Sequence, residues 1–378
     1  MSVTDNTTAS TPASPAEAAS DALLAEFRAR ILDASAKRMP LRLRGGGTKD
    51  WYGETPRGEV LDVSGYRGIV AYDPAELVIT ARCGTPLREI EAALAEKNQM
   101  LPFEPPHFGE QATFGGCIAA GLAGPRRPYT GAPRDFVLGV ALMNGRGEVL
   151  QFGGEVMKNV AGYDAARLMA GALGTLGLLL TVSIKVLPRP TSELTLQFEL
   201  DQQAALHQLN EWAARPLPVS ASAWQDGQLT LRLSGAQAAV EAARATLGGT
   251  PLEAGEAERW WAALREQTAP FFAARADARP LWRLSVPSVA PALTLPGPQL
   301  IEWSGAQRWH IGGETEAIRS AARQVGGHAT CFRGPRDQPN APAVFTTLPA
   351  PLMGIHRRLK EAFDPAGIFN PGRLYPDF

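Results

Sequence analysis

Cysteine is scarce in this chain, and its three cysteines lie far apart. They are Cys83, Cys117 and Cys331, and none belongs to a CxxC pair. Iron–sulfur clusters need grouped cysteines, so the sequence predicts that the chain holds no such cluster of its own. An odd number of separated cysteines also argues against a disulfide framework and favours a reducing compartment.

An excess of charge of either sign is also missing. The chain has 37 basic and 38 acidic residues, and its formal net charge is -1. Proteins that bind nucleic acid usually concentrate basic residues, so we predict no nucleic-acid partner. The length of 378 residues, with a hydrophobic content of 45%, predicts a soluble globular protein of two or three domains.

No apolar stretch is long and uninterrupted enough to predict a membrane span. The strongest candidate, residues 168–184, is uncharged but contains three glycines, and it is shorter than the ~20 residues that a spanning helix needs. We expect a buried turn and strand there. Residues 1–20 have neither a basic start nor an apolar core, so we predict a disordered tail rather than a secretory signal.

Glycine, in contrast, is abundant, and its arrangement is informative. Residues 41–53 read LRLRGGGTKDWYG, in which a strand-like run at 41–44 is followed by three glycines. The chain has no Gly-Lys pair, which excludes a Walker loop. No helical period follows the glycines, which argues against a Rossmann loop. Two interpretations remain, a plain hairpin loop and a nest of backbone N–H groups that binds an anion.

A second glycine pair lies at residues 115–116, after Thr113. Between the two clusters we predict a strand over residues 77–84 and then an amphipathic helix, with Thr85 as its N-cap and Pro86 as its first residue. Two separate glycine clusters suggest one extended ligand held at two points. A dinucleotide has that length.

Four motifs follow one another through the first half of the chain. They are RGGGT at 44–48, ATFGGCIAAG at 112–121, RDFVLGVALMNGRGEVL at 134–150 and GALGTLGLLLTVSIKVLP at 171–188. In this order they resemble the flavoproteins with the vanillyl-alcohol-oxidase type, or PCMH-type, FAD-binding domain. Residues 157–177 look most like the FAD-binding E subunits of bacterial glycolate oxidases. The ending FDPAGIFNPGRLYPDF resembles those subunits and related D-2-hydroxyacid dehydrogenases.

The resemblance implies an α+β fold. A PCMH-type FAD-binding domain of two α+β subdomains is expected at residues 21–190, with FAD extended between them. A C-terminal α+β cap domain with an antiparallel sheet is expected at residues 191–378. Alternating apolar residues at 192–200 and a hairpin turn at Asp226 and Gly227 support strands in the cap.

The resemblance also implies which residues contact FAD. Residues 44–48 would cradle the pyrophosphate, residues 113–119 would meet the flavin end and the phosphates, and residues 176–181 would run near the adenine and ribose. The Gly174–Gly177 turn could instead serve packing alone, and Lys158 could instead cap a turn. The expected cofactor-binding residues are Arg44, Gly45, Gly46, Gly47, Thr48, Lys49, Pro105, Pro106, His107, Thr113, Gly115, Gly116, Ile118, Ala119, Lys158, Gly174, Gly177 and Leu178.

Members of the resembling family use histidines beside the glycine loop or closely spaced in the C-terminal half, and this chain has neither arrangement. No histidine stands beside the glycine loop, where some members attach FAD covalently, so noncovalent FAD is expected. A link through Cys117 is the alternative to a packing role for that residue. No two histidines are spaced as a short metal motif, so no metal site is expected and no catalytic residue is assigned. His310, His328 and His356 remain separate candidates for a base.

The cap offers further candidates without a supporting motif. Arg283, Arg308 and His310 could contact a substrate carboxylate, or they could be ion-paired or solvated like most such residues. The role of Arg373, near the end of the chain, is open. Tryptophan is dense in this half, which suits either core packing or a protein interface.

Three functions are compatible with these patterns. The first is the FAD-binding subunit of a glycolate oxidase complex. The resemblance gives it a catalytic flavoprotein subunit and an iron–sulfur subunit as partners, with glycolate bound in this chain or in a partner. The second is a stand-alone FAD-dependent D-2-hydroxyacid dehydrogenase. The third is a scaffold subunit that FAD merely stabilises. We expect the chain in the cytoplasm, either free or held at the inner membrane through its partners.

Overall fold

The computed structural model describes residues 15–154, 164–274, 279–336, 341–376 and 378. The N-terminal elements are α1 (Pro15–Lys37), β1 (Leu41–Arg44), β2 (Glu59–Asp62), β3 (Ile69–Asp73), β4 (Val78–Arg82), α2 (Leu87–Glu96), β5 (Gln99–Met100), α3 (Phe114–Ala120), α4 (Arg127–Thr130), α5 (Pro133–Phe136), β6 (Val137–Met143), β7 (Val149–Gly153), α6 (Ala165–Leu168), β8 (Leu178–Lys185) and β9 (Leu187–Pro188).

The C-terminal elements alternate between strands and helices. They are β10 (Ser192–Glu199), α7 (Gln202–Ala213), β11 (Val219–Gln225), β12 (Gln228–Gly235), α8 (Gln237–Leu247), β13 (Thr250–Pro251), α9 (Ala254–Arg265), α10 (Pro270–Ala273), β14 (Leu281–Ser285), β15 (Gln299–Glu302), a 3-10 turn (Trp303–Gly305), β16 (Gln307–Ile311), α11 (Thr315–Gln324), β17 (His328–Arg333) and α12 (Ala350–Phe363).

Three sheets organise the described N-terminal part, and the smallest is the antiparallel pair of β5 and β9. The strands β1 and β2 pair in parallel, and five antiparallel strands follow the order β3-β4-β8-β6-β7. Apolar residues of β4, β6 and β8 pack against α2 and α3, whose buried side chains recur at helical spacing. This packing confirms the predicted α+β class. Residues 168–184 run from α6 through a turn into β8, as expected.

The C-terminal part is built on one antiparallel sheet of eight strands, here called the cap sheet. Its order is β13-β10-β12-β11-β15-β16-β14-β17. The β11–β12 hairpin turns at Asp226 and Gly227, which have φ angles of 48° and 83°, and this confirms the predicted turn. Helices α7, α8 and α11 cover one side. The other side packs on the N-terminal part through Trp309, Phe332 and Tyr52.

The end of the chain returns to the N-terminal part. Leu41 of β1 donates its N–H to the Ile368 carbonyl at 2.7 Å, and Asn370 donates its N–H to the Leu41 carbonyl at 2.9 Å. Ile368 and Phe369 are buried in the same apolar cluster as Leu41. The division into domains at residue 190 stays a prediction, and this last segment contacts the first domain rather than the cap sheet.

The predicted end of the N-terminal tail and the predicted cap of α2 both differ from the structure. Helix α1 begins at Pro15, inside the segment predicted as a tail, because an alanine-rich stretch with Glu17 in its first turn favours helix. Helix α2 begins at Leu87 with Pro86 at its N-cap. Thr85 is not the cap, because its hydroxyl contacts the Arg82 carbonyl and the N–H of Gly68. No helix among the described residues is long and apolar enough to cross a membrane.

Candidate cofactor site

A cleft opens where the loop after β1, helix α3 and the turn before β8 come together. One end is lined by residues 42–50, and the other extends towards Val63 and Leu178. The two ends share one set of lining residues, so they form a continuous groove: Leu43, Arg44, Gly45, Thr113, Gly116, Ala119, Leu173 and Asn370. An elongated ligand could therefore contact both glycine clusters at once.

The glycine loop offers a row of free backbone donors to this cleft. In the described part of the chain, the N–H groups of residues 45–49 donate to no protein acceptor. Gly47 has a φ angle of 70°, which favours glycine. A Cβ atom on Gly46 would overlap the carbonyl oxygen of Gln111. Successive N–H groups without a protein acceptor are the arrangement that an anion-binding nest needs, and anion binding by this loop stays a prediction.

Three carbonyl groups at the end of the same loop accept from side chains. Arg373 donates to the carbonyls of Asp50 at 2.7 Å and of Lys49 at 3.4 Å, and the Trp51 indole donates to the Thr48 carbonyl at 2.9 Å. The Arg44 guanidinium pairs with the Asp50 carboxylate at 2.7 Å. The carbonyls of residues 48–50 are thus paired with side chains, whereas the N–H groups of residues 45–49 remain open polar partners.

Lys49 adds positive charge beside the nest. Its ammonium donates to the His107 carbonyl at 3.0 Å, and within the described residues it forms no ion pair with a carboxylate. Burial lowers the pKa of Lys49, while the neighbouring Cys117 and Glu266 partly offset that effect. A bound anion would stabilise this largely desolvated ammonium group.

The second glycine cluster forms the opposite wall. Thr113 caps α3, because its hydroxyl accepts the Gly116 N–H at 3.2 Å. The Gly115 N–H bonds to the Cys83 carbonyl at 2.8 Å, and a Cβ atom on Gly115 would press on Cys83. The absence of side chains here lets the backbone of α3 approach β4 closely and keeps the groove open.

The turn before β8 is fixed to α3 and to the end of the chain. Leu173 donates its N–H to the Ala119 carbonyl at 2.9 Å. Gly174 has a φ angle of 71°, and a Cβ atom there would meet the Asn370 amide. The predicted residues Gly174, Gly177 and Leu178 thus line the far end of the cleft.

Some predicted residues lie away from the groove. Ile118 is buried in the apolar core. The segment 105–107 does not line the groove, and the N–H groups of His107 and the following Phe108 donate to Glu266. It still meets the loop through the His107 carbonyl that accepts from Lys49. Lys158 lies outside the described residues.

Asn370 and Arg373 are cleft residues that the sequence did not assign. The Asn370 side chain accepts the Leu43 N–H at 2.8 Å and donates to the Leu173 carbonyl at 2.7 Å, so it joins the two walls. Burial lowers the pKa of Arg373 to about 10. The available signal was the ending FNPGRLYPDF, which matched the family without indicating a role.

The candidate base and carboxylate residues of the cap do not form one cluster. Arg308 donates to the carbonyls of Gly305, Pro291 and Ala290, which is a structural role. His310 is fully buried, and burial lowers its pKa.

Of the remaining cap candidates, Arg283 and His328 are neighbours on the paired strands β14 and β17, and His356 lies apart from them on α12. Arg283 donates to the Tyr52 hydroxyl at 3.2 Å, whereas His328 is exposed and His356 packs against Tyr375 and Phe378. No group of three described histidine, cysteine, aspartate or glutamate side chains could hold a metal ion.

Cys117 is buried in the apolar core beneath the cleft. Burial raises the pKa of its thiol to about 12, so the reactive thiolate is scarce at neutral pH. This environment suits a packing role better than attachment of a flavin.

Comparison with known proteins gives a consistent picture. Residues 24–153 match the family described as FAD binding domain. The chain is 49% identical to the glycolate oxidase subunit GlcE of Escherichia coli (strain K12), over 95% of this chain and 98% of that protein. It is 33% identical to the glycolate oxidase subunit GlcD of Bacillus subtilis (strain 168), over 44% of this chain and 36% of that protein.

A solved structure supports the same fold. An alkyldihydroxyacetonephosphate synthase superposes with a TM-score of 0.64, covering 92% of this chain and 75% of that chain. Its sequence identity of 14% limits the likeness to the fold alone.

Proposed function

Because this chain belongs to the family of the glycolate oxidase subunit GlcE and carries an FAD-binding domain, we propose that it is the FAD-bearing subunit of a glycolate-oxidising complex. In this role it supports the oxidation of glycolate to glyoxylate and passes electrons between its cofactor and partner subunits. Bound FAD supplies the redox chemistry that amino-acid side chains lack.

One observation carries the placement of the cofactor. The five consecutive N–H groups of residues 45–49 have no acceptor within the described chain, and they face a groove that is long enough to reach Leu178. We infer that these groups bind the pyrophosphate, with Lys49 adding positive charge. Gly115 and Gly116 would admit the rest of the cofactor to close contact with the backbone.

Other residues would orient the cofactor without contacting its reacting atoms. Arg373 fixes the carbonyl side of the loop, and Asn370 fixes the distance between the two walls. The turn at Gly174 and Gly177 would bound the adenine end. Since Cys117 is buried and its pKa is raised, we propose noncovalent binding.

The partners are proposed from the family. They are a catalytic flavoprotein subunit and an iron–sulfur subunit, through which electrons would leave. We propose a cytoplasmic location, either free or at the inner membrane through these partners. Glycolate would bind in the complex, in this chain or in the catalytic partner.

A stand-alone dehydrogenase is the weaker alternative. It needs a base near the substrate, and the three candidate histidines are separated, with His310 sealed inside the cap. A scaffold that only stores FAD would leave the redox state of this flavin without influence on the complex.

An anaerobic absorbance spectrum tests the proposal. The purified chain should be yellow, release FAD on acid denaturation and stay oxidised after glycolate is added. Adding the partner subunits should then let glycolate reduce the flavin. Prompt reduction of the isolated chain would support the stand-alone dehydrogenase. A colourless chain that cannot be loaded with FAD would overturn the proposal.

A further inference from the structure

Lys360 is a buried lysine that touches both the cleft turn and the end of the chain. Its ammonium group donates to the Thr175 carbonyl, the Phe369 carbonyl and the Asp364 carboxylate, each at 2.7 Å. A lysine ammonium has three donors, so all of them are used. Two of the acceptors are backbone groups, and one of them, the Thr175 carbonyl, is 185 residues away in the sequence.

Asp364 extends this contact into residues 364–374, here called the strap. Its carboxylate accepts the N–H groups of Ile368 at 3.1 Å and of Phe369 at 2.7 Å. The strap then lies along β1, with hydrogen bonds on both sides of Leu41. Asn370 and Arg373, which brace the cleft, follow directly in the strap.

Lys360 therefore links the two walls of the cleft from behind. One wall is the turn that contains Thr175, next to Gly174. The other is β1 with its glycine loop, against which the strap packs. Both Lys360 and Asp364 are buried, so loss of either partner would leave an unpaired charge or carbonyl group inside the protein.

We propose that Lys360 is a positioning residue for FAD, and that docking of the strap and binding of FAD strengthen each other. The inference rests on the proposed function, because it takes the cleft as the FAD site. Lys360 does not line the cleft, and it acts by holding Thr175 and the strap in register. Linkage then requires that FAD stabilise the docked strap as much as the docked strap favours FAD.

The first test compares FAD dissociation constants of the full-length chain. Lys360→Met removes the three hydrogen bonds at similar volume, and we expect it to weaken FAD binding by about tenfold or more. Leu231→Ala serves as the control, because Leu231 is buried in the cap away from the cleft. The control should lower the melting temperature and leave the dissociation constant unchanged. Titrations are run at a temperature where circular dichroism shows each variant folded.

The second test needs no variant. Hydrogen exchange at the N–H groups of Ile368 and Phe369 should slow when wild-type protein is loaded with FAD. If Lys360→Met does not fold, Asp364→Asn is measured instead, and we expect it too to weaken FAD binding and to reduce the protection of the strap.

Two results would overturn the inference. One is an unchanged FAD dissociation constant in a folded Lys360 or Asp364 variant, and the other is strap exchange that FAD does not slow. Either result leaves the proposed function standing, because wild-type protein would still bind FAD. Failure of wild-type protein to bind FAD at all would instead reject the proposed function itself.

Discussion

The glycine loop of the cleft and two buried side chains of the cap sheet, Glu302 and Arg308, differ in whether their polar groups have hydrogen-bond partners. In the cleft, the N–H groups of residues 45–49 lack acceptors within the described chain. In the cap, Glu302 accepts from Gln307 and Trp309, and Arg308 donates to three carbonyls. Buried polar groups cost free energy unless they are paired. The open backbone donors of the loop therefore indicate a ligand site, whereas the paired Glu302 and Arg308 have a structural role.

The comparison predicts that cleft variants change FAD affinity and cap variants change stability. The largest expected effect is that of Gly46→Ala. The new methyl group would overlap the Gln111 carbonyl, so the loop must move and its N–H groups lose their alignment. We expect FAD affinity to fall by about a thousandfold, or ~4 kcal/mol. Flavin fluorescence during titration measures this change.

Gly65→Ala is the matched control for the loop. A methyl group at Gly65 would have only Leu23 nearby, at 3.7 Å. It should bind FAD like the wild-type chain. Equal FAD affinity in Gly46→Ala and Gly65→Ala would show that the glycine loop does not bind FAD.

The second prediction concerns the contact between the two parts of the chain. Arg232 of the cap donates to the Glu104 carboxylate at 2.8 Å, and both side chains are mostly buried. Arg232→Met leaves part of the Glu104 charge unpaired, so we expect the free energy of unfolding to fall by about 3 kcal/mol. Urea denaturation measures it.

FAD affinity distinguishes this loss of stability from the effect of Gly46→Ala on the glycine loop. Folded Arg232→Met protein should bind FAD with wild-type affinity, and Arg244→Met, an exposed change on α8, should alter neither quantity. Loss of FAD affinity in Arg232→Met would contradict the separation of the two regions.

The sequence predicted the parts of the cleft that short local motifs form better than the parts that depend on contacts between distant residues. The RGGGT motif and the glycine pair at residues 115–116 are short-range features, so both glycine clusters could be found from neighbouring residues. The contacts of Asn370 and Lys360 go to backbone groups of Leu43, Leu173 and Thr175. Such acceptors exist at every residue, so no sequence pattern marks them.

The surroundings of residues 105–107 show the same limit. The family pattern placed this segment on the cofactor, which stays a prediction, but no sequence pattern indicated that Glu266 of the cap accepts the N–H groups of His107 and Phe108. Only the fold brings Glu266 to His107, because 159 residues separate them in the chain.

The third prediction uses pH and Glu302. Burial raises the pKa of this carboxyl from 4.5 to about 7. Between these values the folded state keeps a proton that the unfolded state has lost, so the free energy of unfolding falls as pH rises through the window. Glu302→Gln removes this pH-dependent contribution. The free energy of unfolding of Glu302→Gln, relative to that of the wild-type chain, should therefore grow by roughly 2–3 kcal/mol from pH 4.5 to above pH 7.

Urea denaturation at several pH values tests this prediction. The FAD affinity of Glu302→Gln should match that of the wild-type chain, since Glu302 does not line the cleft. Parallel stability curves for the two proteins across the window would show that Glu302 has an ordinary pKa.

The smallest expected effect compares two helix caps, one in each region. Thr113 caps α3 beside the cleft, and Asp201 caps α7 in the cap by accepting the Ala204 N–H at 2.8 Å. Thr113→Ala and Asp201→Ala should each reduce the free energy of unfolding by about 1 kcal/mol. Only Thr113→Ala should also weaken FAD binding, because its helix carries Gly116 into the cleft. Both changes remove one capping bond. If they cost equal stability but differ in FAD affinity, the difference in affinity comes from the position of α3 beside the cleft. If Asp201→Ala weakened FAD binding equally, helix capping would affect the cofactor through global stability, and the contrast between cleft and cap would fail.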